Sequence, residues 1–259
     1  GRNAGLRVSF DRIADRYDDT RSLPRDVMEQ VVDALEMVVD SRKPILDVGV
    51  GTGRFGYPLQ VRGQEIVGVD ISARMLGKAR AKGIEWLAKA DVCKLPFRDK
   101  SFGVAMSVHL LHLVAEWRCA LEEIARVTSE RYVTVASFRE DSPAEMMRMF
   151  YEARCKELGF DIRHPGLRER ELKDILKPDL VSLVAAHEEL VSPALRIEGF
   201  VTRTYSSQWP VPEDVHVRAV EDLRAEFADV ESLLERESIF LLAWKISTLE
   251  KFLADGKGP

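Results

Sequence analysis

The segment Ile45-Leu46-Asp47-Val48-Gly49-Val50-Gly51-Thr52-Gly53-Arg54-Phe55 limits the fold of this chain more than any other. Pro44 to Val48 is short, apolar and partly β-branched, the pattern of a buried parallel strand. Three glycines at alternate positions follow, then a stretch able to begin a helix. Glycine admits positive φ and lets the backbone approach a ligand where a side chain would stand in the way. A strand that enters such a bend and leaves as a helix is the nucleotide-type cradle of an open α/β sheet. The next apolar strand, Glu65-Ile66-Val67-Gly68-Val69-Asp70, ends on a carboxylate whose two oxygens can accept ribose hydroxyls.

The remaining pattern extends this unit into a full sheet. Pro24 to Asp40 sets Val27, Val31, Leu35 and Val38 at helical intervals. Strands are expected at 44–48, 65–70, 84–88, 101–107 and 131–137, with helices from about 54, over 72–82 capped by Ser72, and from the fourth strand's end to about Thr128. Ser142 and Pro143 open a further helix that runs to Leu158 and stops at Gly159. Later strands fall near Leu183 to Val191 and Ser238 to Ile246, before a short polar tail. Alternation of this kind predicts right-handed βαβ units in one doubly wound, mostly parallel, seven-stranded α/β sheet. The chain reads as a single domain over 1–259, its core about 24–192 and 237–250. Residues 193–236 interrupt it with Phe200, Tyr205, Trp209 and a helix from Glu213 that places Val217, Val220 and Leu223 on one face. A connection so long is either a lid or acceptor-binding segment or an added layer at the sheet edge.

Glycine spacing narrows the ligand. The dinucleotide fingerprint is G-x-G-x-x-G, whereas here it is G-x-G-x-G, Arg54 stands where the third glycine would fall, and Asp47 precedes the bend. An acid at the loop entrance is awkward beside a pyrophosphate and suits an ammonium group. The arrangement resembles motif I of the class I S-adenosylmethionine-dependent methyltransferases. Three further segments carry the likeness: Ala90-Asp91-Val92-Cys93-Lys94-Leu95-Pro96-Phe97, Ser101 to His112, and Phe10-Asp11-Arg12-Ile13-Ala14-Asp15-Arg16-Tyr17-Asp18. The last is similar to the N-terminal helix of the type-11 branch, which includes ubiquinone and menaquinone C-methyltransferases, and is expected to be helical over 7–20. Gly103 stands where that family often has Asp.

The resemblance implies S-adenosyl-L-methionine as cofactor, S-adenosyl-L-homocysteine as product and methyl transfer by direct in-line displacement to a small molecule. Gly49, Gly51 and Gly53 are expected to lay backbone against the ligand, Asp70 to take the ribose, and Asp91 to face the adenine amino group. Asp47 is expected to orient the loop and to receive the ammonium through water. The likeness extends the cofactor set to Ile71, Met75, Val92 and Ser107. Tyr17 either closes over the cofactor, its ring face favouring a sulfonium, or is a half-buried helix tyrosine. Arg54 either pairs with the methionine carboxylate or solvates its helix.

A sulfonium methyl is already electrophilic, so holding an acceptor in line is the main task and can supply roughly 7–11 kcal/mol. Neither a covalent nucleophile nor a metal is required. Where a proton must leave, His109 and His112, just past the fourth strand, are the candidate bases. Each has a packing or capping role as its alternative. Met146, Met147, Met149 and Phe150 line an acceptor pocket or fill a core.

Composition excludes other classes. The chain has 259 residues, 46% hydrophobic and 31% charged, with a formal charge of −5 and acids and bases interspersed. No basic face stands out for neutralising phosphates. Ser107-Val108-His109-Leu110 replaces the Asn/Asp-Pro-Pro-aromatic tetrapeptide of base-methylating relatives, so a nucleic-acid partner is not expected. Cys93, Cys119 and Cys155 are too few and scattered for a disulfide framework or metal knuckle. No apolar run approaches the roughly 18 residues of a membrane span and no signal peptide is read before the first helix, so a cytoplasmic location is expected. Two other functions stay open on the same sheet: a non-catalytic S-adenosylmethionine-binding regulator or partner subunit, and a NAD(P)-dependent oxidoreductase. The acceptor and the oligomeric state are not encoded legibly.

Overall fold

A computed structural model of the chain describes residues 23–140, 142–163 and 165–256. The helix expected over 7–20, and Tyr17 with it, lies outside these residues. Helix α1 (Arg25–Val39) follows Pro24 and turns Val27, Val31, Val32, Leu35 and Val39 inward, an apolar stripe at helical spacing. Strand β1 (Ile45–Val48) is buried throughout. The chain then alternates through α2 (Gly56–Val61), β2 (Ile66–Asp70), α3 (Ala73–Lys82), β3 (Trp86–Lys89) and β4 (Phe102–Ser107). Ser72 caps α3 by accepting the Met75 amide at 3.1 Å, which offsets one orphan donor of the first turn.

After β4 the helix expected at once is delayed. A single 3-10 turn, Leu111–Leu113, comes first, and α4 begins only at Trp117 and runs to Val127. β5 (Thr128–Glu140) starts directly from it and is longer than the expected 131–137. Then come α5 (Pro143–Glu157), α6 (Glu169–Ile175), β6 (Leu180–Val191), α7 (Pro193–Val201), α8 (Glu213–Glu226), β7 (Leu233–Lys245) and α9 (Ile246–Ala254). The tail expected after the last strand is mostly α9, with Ile246, Leu249 and Phe252 buried on one face.

The sheet order is β3-β2-β1-β4-β5-β7-β6. β1 pairs in parallel with β2 and β4, β2 with β3, and β4 with β5. β7 runs the other way. Tyr132 stacks on Trp244 while Arg139 pairs with Glu237, so positions along β5 and β7 descend against each other. Asp179 accepts the Lys245 amide and Glu188 pairs with Arg236, giving β6 the same relation to β7. The doubly wound, mostly parallel sheet is as expected. Strand order reverses between β1 and β4, and their loops leave one sheet edge toward opposite sides, which is where ligands seat in such folds.

The chain divides into two compact units. The first takes the described residues through Ser137, then Pro165–Ala185, then Ile239 onward. Its core joins α1 to the sheet through Leu35, Ile45, Ile66, Val104, Val133 and Leu241. The second comprises Phe138–His164 and Ala186–Ser238. It has its own apolar cluster, in which Met147 and Tyr151 of α5 meet Phe200 of α7 and Val215, Ala219 and Leu223 of α8. Met147 is therefore core, whereas Met146 and Met149 are 53% and 60% exposed. On α8 the buried face runs through Val215, Ala219, Val220 and Leu223 and leaves Val217 43% exposed. Val220 and Leu223 lie on this face as expected, and Val217 does not, because Val215 keeps four-residue register with Ala219 and Leu223.

Candidate active site

The glycine bend is built by backbone conformation. Gly49, Gly51 and Gly53 have φ of 72°, 55° and 77°, values that a residue bearing Cβ adopts only at a cost. Their surroundings differ. A Cβ on Gly49 would lie 2.9 Å from Leu110 Cδ1, and one on Gly53 would lie 2.6 Å from Ile84 Cδ1, so both are pressed against the protein. Among the described residues, a Cβ at Gly51 would meet only the Gly49 carbonyl oxygen, at 3.9 Å, so the apex offers bare backbone to a ligand.

Asp70 ends β2 beside that apex. Its Oδ2 accepts the Gly51 amide at 3.0 Å and its Oδ1 the Ser72 amide at 2.8 Å. These two bonds fix the carboxylate in place at the end of β2, beside the glycine apex. The neighbouring strand end is tied in as well, because the Ala90 amide donates to the Asp70 carbonyl at 3.1 Å. Asp91 follows, and its Oδ1 takes the Cys93 amide at 3.1 Å in a tight local turn. Ile71 and Val92 are half-buried beside the two acids. The glycines, Asp70, Ile71, Asp91 and Val92 are thus gathered at the ends of β1, β2 and β3.

Asp47 sits deeper. It is 4% exposed, and burial first, then repulsion from Asp70, push its pKa up to about 7, opposed by the hydrogen bond from the Gly56 amide. The side chain holds the first turn of α2 from within. Gly56 makes that possible, since a Cβ there would lie 2.6 Å from Asp47 Oδ2. Gly56 lies three positions past Gly53, so Gly51, Gly53 and Gly56 also stand at G-x-G-x-x-G spacing, and here the last glycine makes room for the Asp47 carboxyl. Arg54 lays its guanidinium 5.1 Å from the Phe55 ring centroid.

Two expected cofactor residues point into the protein. Met75 is buried on the inner face of α3. Ser107 is fully buried, its hydroxyl shared with the Tyr132 hydroxyl at 2.7 Å and its carbonyl accepting Thr134 Oγ1 at 2.7 Å. Both are interior, since every position of β4 and the inner face of α3 are buried.

The β4 loop faces the bend from the switch-point side. His109 has a φ of +56°, a left-handed conformation on a residue with a bulky ring. Its ring meets that of His112 edge-on at 6.4 Å. His112 lies on the 3-10 turn rather than on a helix, 3.9 Å from Glu169 through Nδ1 and Oε2. Glu169 was not singled out from sequence; within Arg168-Glu169-Arg170-Glu171 it looks like one member of a solvated charge run. Among the described residues no group of three or more His, Cys, Asp or Glu is placed to hold a metal ion, and no helix is long and apolar enough to cross a membrane.

The chain is similar to known proteins. Residues 46–131 match the family model described as a methyltransferase domain. A malonyl-[acyl-carrier protein] O-methyltransferase of Halorhodospira halophila is 34% identical over 149 residues, 54% of this chain and 50% of that protein. A demethylmenaquinone methyltransferase of Paenarthrobacter aurescens is 38% identical over 126 residues, 46% of this chain and 49% of that protein. The chain spans about half the length of the curated relatives it matches. Among solved structures, a putative methyltransferase from an antibiotic biosynthesis pathway of Anabaena variabilis is similar with a TM-score of 0.53, at 18% identity over 82% of this chain and 96% of that one. This last likeness is one of fold.

Proposed function

We propose that this chain, whose residues 46–131 belong to the type-11 branch of the class I methyltransferase domains, transfers a methyl group from S-adenosylmethionine to a small-molecule acceptor. The observation that carries the reading is the Gly51 apex, which offers bare backbone and is pinned by its own amide to Asp70 at the end of β2. The residues present fit the cofactor. Backbone at Gly49–Gly53 approaches the amino-acid end, the Asp70 carboxylate takes ribose hydroxyls, and the Asp91 turn stands at the adenine. When bound, the cofactor supplies an electrophilic sulfonium methyl. The chain's part is to hold it and to present an acceptor in line, with His109 and His112 at the acceptor side.

A dinucleotide is a poorer match, because the buried Asp47 beneath the bend disfavours a pyrophosphate above it. Isothermal titration of the folded chain with S-adenosylmethionine and with S-adenosylhomocysteine tests the proposal. Saturable uptake of both, without uptake of NADH, is expected. Absence of binding by either sulfur compound would overturn it. Methyl transfer from isotopically labelled cofactor to a metabolite panel then separates an enzyme from a binding protein.

A further inference from the structure

The β4 loop is strapped from behind by a buried carboxylate. Glu169, the first residue of α6, is 6% exposed. Its Oε1 accepts the Leu110 amide at 2.9 Å, the Leu111 amide also donates to it, and its Oε2 stands 3.9 Å from His112 Nδ1. Three residues earlier the Gly166 amide donates to the His112 carbonyl at 3.1 Å. A Cβ on Gly166 would lie 2.0 Å from the Leu111 carbonyl oxygen, so only glycine lets this segment run so close. Residues 166 and 169 therefore grip the 3-10 turn on both sides of its one histidine. The same grip holds His109 in its left-handed conformation, because Glu169 fixes the two amides that follow it; such strain persists where the surroundings over-determine it.

We propose that Glu169 and His112 form a carboxylate–imidazole pair in which His112 takes the proton of a phenolic or enolic hydroxyl acceptor and Glu169 positions the ring. The proposal rests on the methyl-transfer reading above. With Nδ1 toward the carboxylate, the ring carries Nε2 on its opposite edge, the arrangement that makes an oriented base. The acceptor class follows from proton affinity. An imidazole base works best on a hydroxyl that is acidic but still protonated near neutral pH; a carboxylic acid is already ionised there and needs no base. In the step, a lone pair of the acceptor oxygen forms the O–CH₃ bond, the S–C pair stays on sulfur, and the hydroxyl proton passes to His112 Nε2. The imidazolium so formed sits beside a carboxylate whose burial otherwise disfavours its charge. The Tyr132 hydroxyl of β5 and Glu171 of α6 are the other titratable groups acting on Glu169.

The test is proton–carbon NMR titration of the histidine rings in the full chain, with His112 identified by the signal lost in His112→Gln. His112 is expected to lose its proton at lower pH in Glu169→Gln than in wild type, and this variant keeps an acceptor for the Leu110 amide. Glu169→Asp should lie between them. Identical titration in wild type and Glu169→Gln overturns the pairing. A second arm measures labelled methyl transfer to catechol and hydroquinone, with butylamine and butyrate as controls. Glu169→Gln should lower kcat by 10- to 100-fold with the KM for S-adenosylmethionine unchanged. Transfer to the amine or carboxylate alone, or no transfer to a hydroxyl probe by protein that takes up the cofactor, overturns the acceptor class. Failure of cofactor uptake by the wild-type chain would instead overturn the methyl-transfer reading, and the His112 titration reports independently of it.

Discussion

The Asp70 carboxylate accepts the Gly51 amide at 3.0 Å, so the acid expected to hold a ribose also holds the apex of the glycine bend. Its loss should therefore act twice, removing acceptors from the ligand and releasing the loop. Hydrogen bonds to charged groups contribute about 1.5–3 kcal/mol each. Asp70→Ala is expected to weaken S-adenosylmethionine binding by at least tenfold in calorimetry, while circular dichroism shows the sheet intact. Asp70→Asn, which can no longer accept on both sides, should fall between. Unchanged affinity in Asp70→Ala would remove the acid from the site.

Gly56 and Gly77 make opposite predictions for the same substitution. A Cβ on Gly56 would strike Asp47 Oδ2 at 2.6 Å and press on Ile66 and Ile84 at 3.3 Å, all interior groups. Gly56→Ala is expected to destabilise the chain by about 1–3 kcal/mol. Gly77 is exposed within α3, and a Cβ there meets nothing within 4 Å. Gly77→Ala should stabilise by roughly 0.5–1 kcal/mol, the ordinary difference between the two residues in a helix. Urea unfolding of both variants checks the pair, and equal shifts would contradict the packing.

What the sequence made legible was whatever is written in local pattern. The strand–glycine–helix unit, the Ser72 and Ser142 caps and the acids at two strand ends each depend on neighbours in the chain. The distant contacts were not legible. Glu169 is buried because it reaches Leu110 and Leu111, 59 and 58 positions away, and no local pattern separates it from Glu171. The family likeness puts Ser107 among the cofactor residues, and no local pattern shows that its hydroxyl meets Tyr132 on the next strand. The expected polar tail is helical because Ile246, Leu249 and Phe252 find a buried face, which a strand-like run read through Ile246 concealed.

Asp47 should make stability fall with rising pH. Burial, and then Asp70, push its pKa up to about 7 from the ordinary 3.8 of an aspartate. The folded chain holds this proton more tightly than the unfolded chain. The contribution is therefore fully present below about pH 4, is lost as pH rises from there to about 7, and is level above. The loss is on the order of 4 kcal/mol, from a shift of about three units. Asp47→Asn is expected to match wild type in urea unfolding at pH 4 and to exceed it at pH 8. Curves that keep a constant separation across that range would contradict the assignment.

Ser107 and Tyr132 share a buried hydroxyl contact beside Thr134, and its removal can be resolved by a double-mutant cycle. Tyr132→Phe takes this partner from the Ser107 hydroxyl, and Ser107→Ala leaves the phenol with Thr134. Each single variant is expected to lose about 1–3 kcal/mol, the cost of an unsatisfied buried polar group. The double variant should lose less than the sum, with a coupling of roughly 0.5–3 kcal/mol. Burial raises the Tyr132 hydroxyl far above its ordinary range, so it stays neutral and the cycle should not change between pH 6 and 9. The same variants decide the role of Ser107, since calorimetry on Ser107→Ala should show unaltered uptake of S-adenosylmethionine. A loss of affinity there, with the fold preserved, would return Ser107 to the cofactor site and would mean that its hydroxyl exchanges Tyr132 for the ligand on binding.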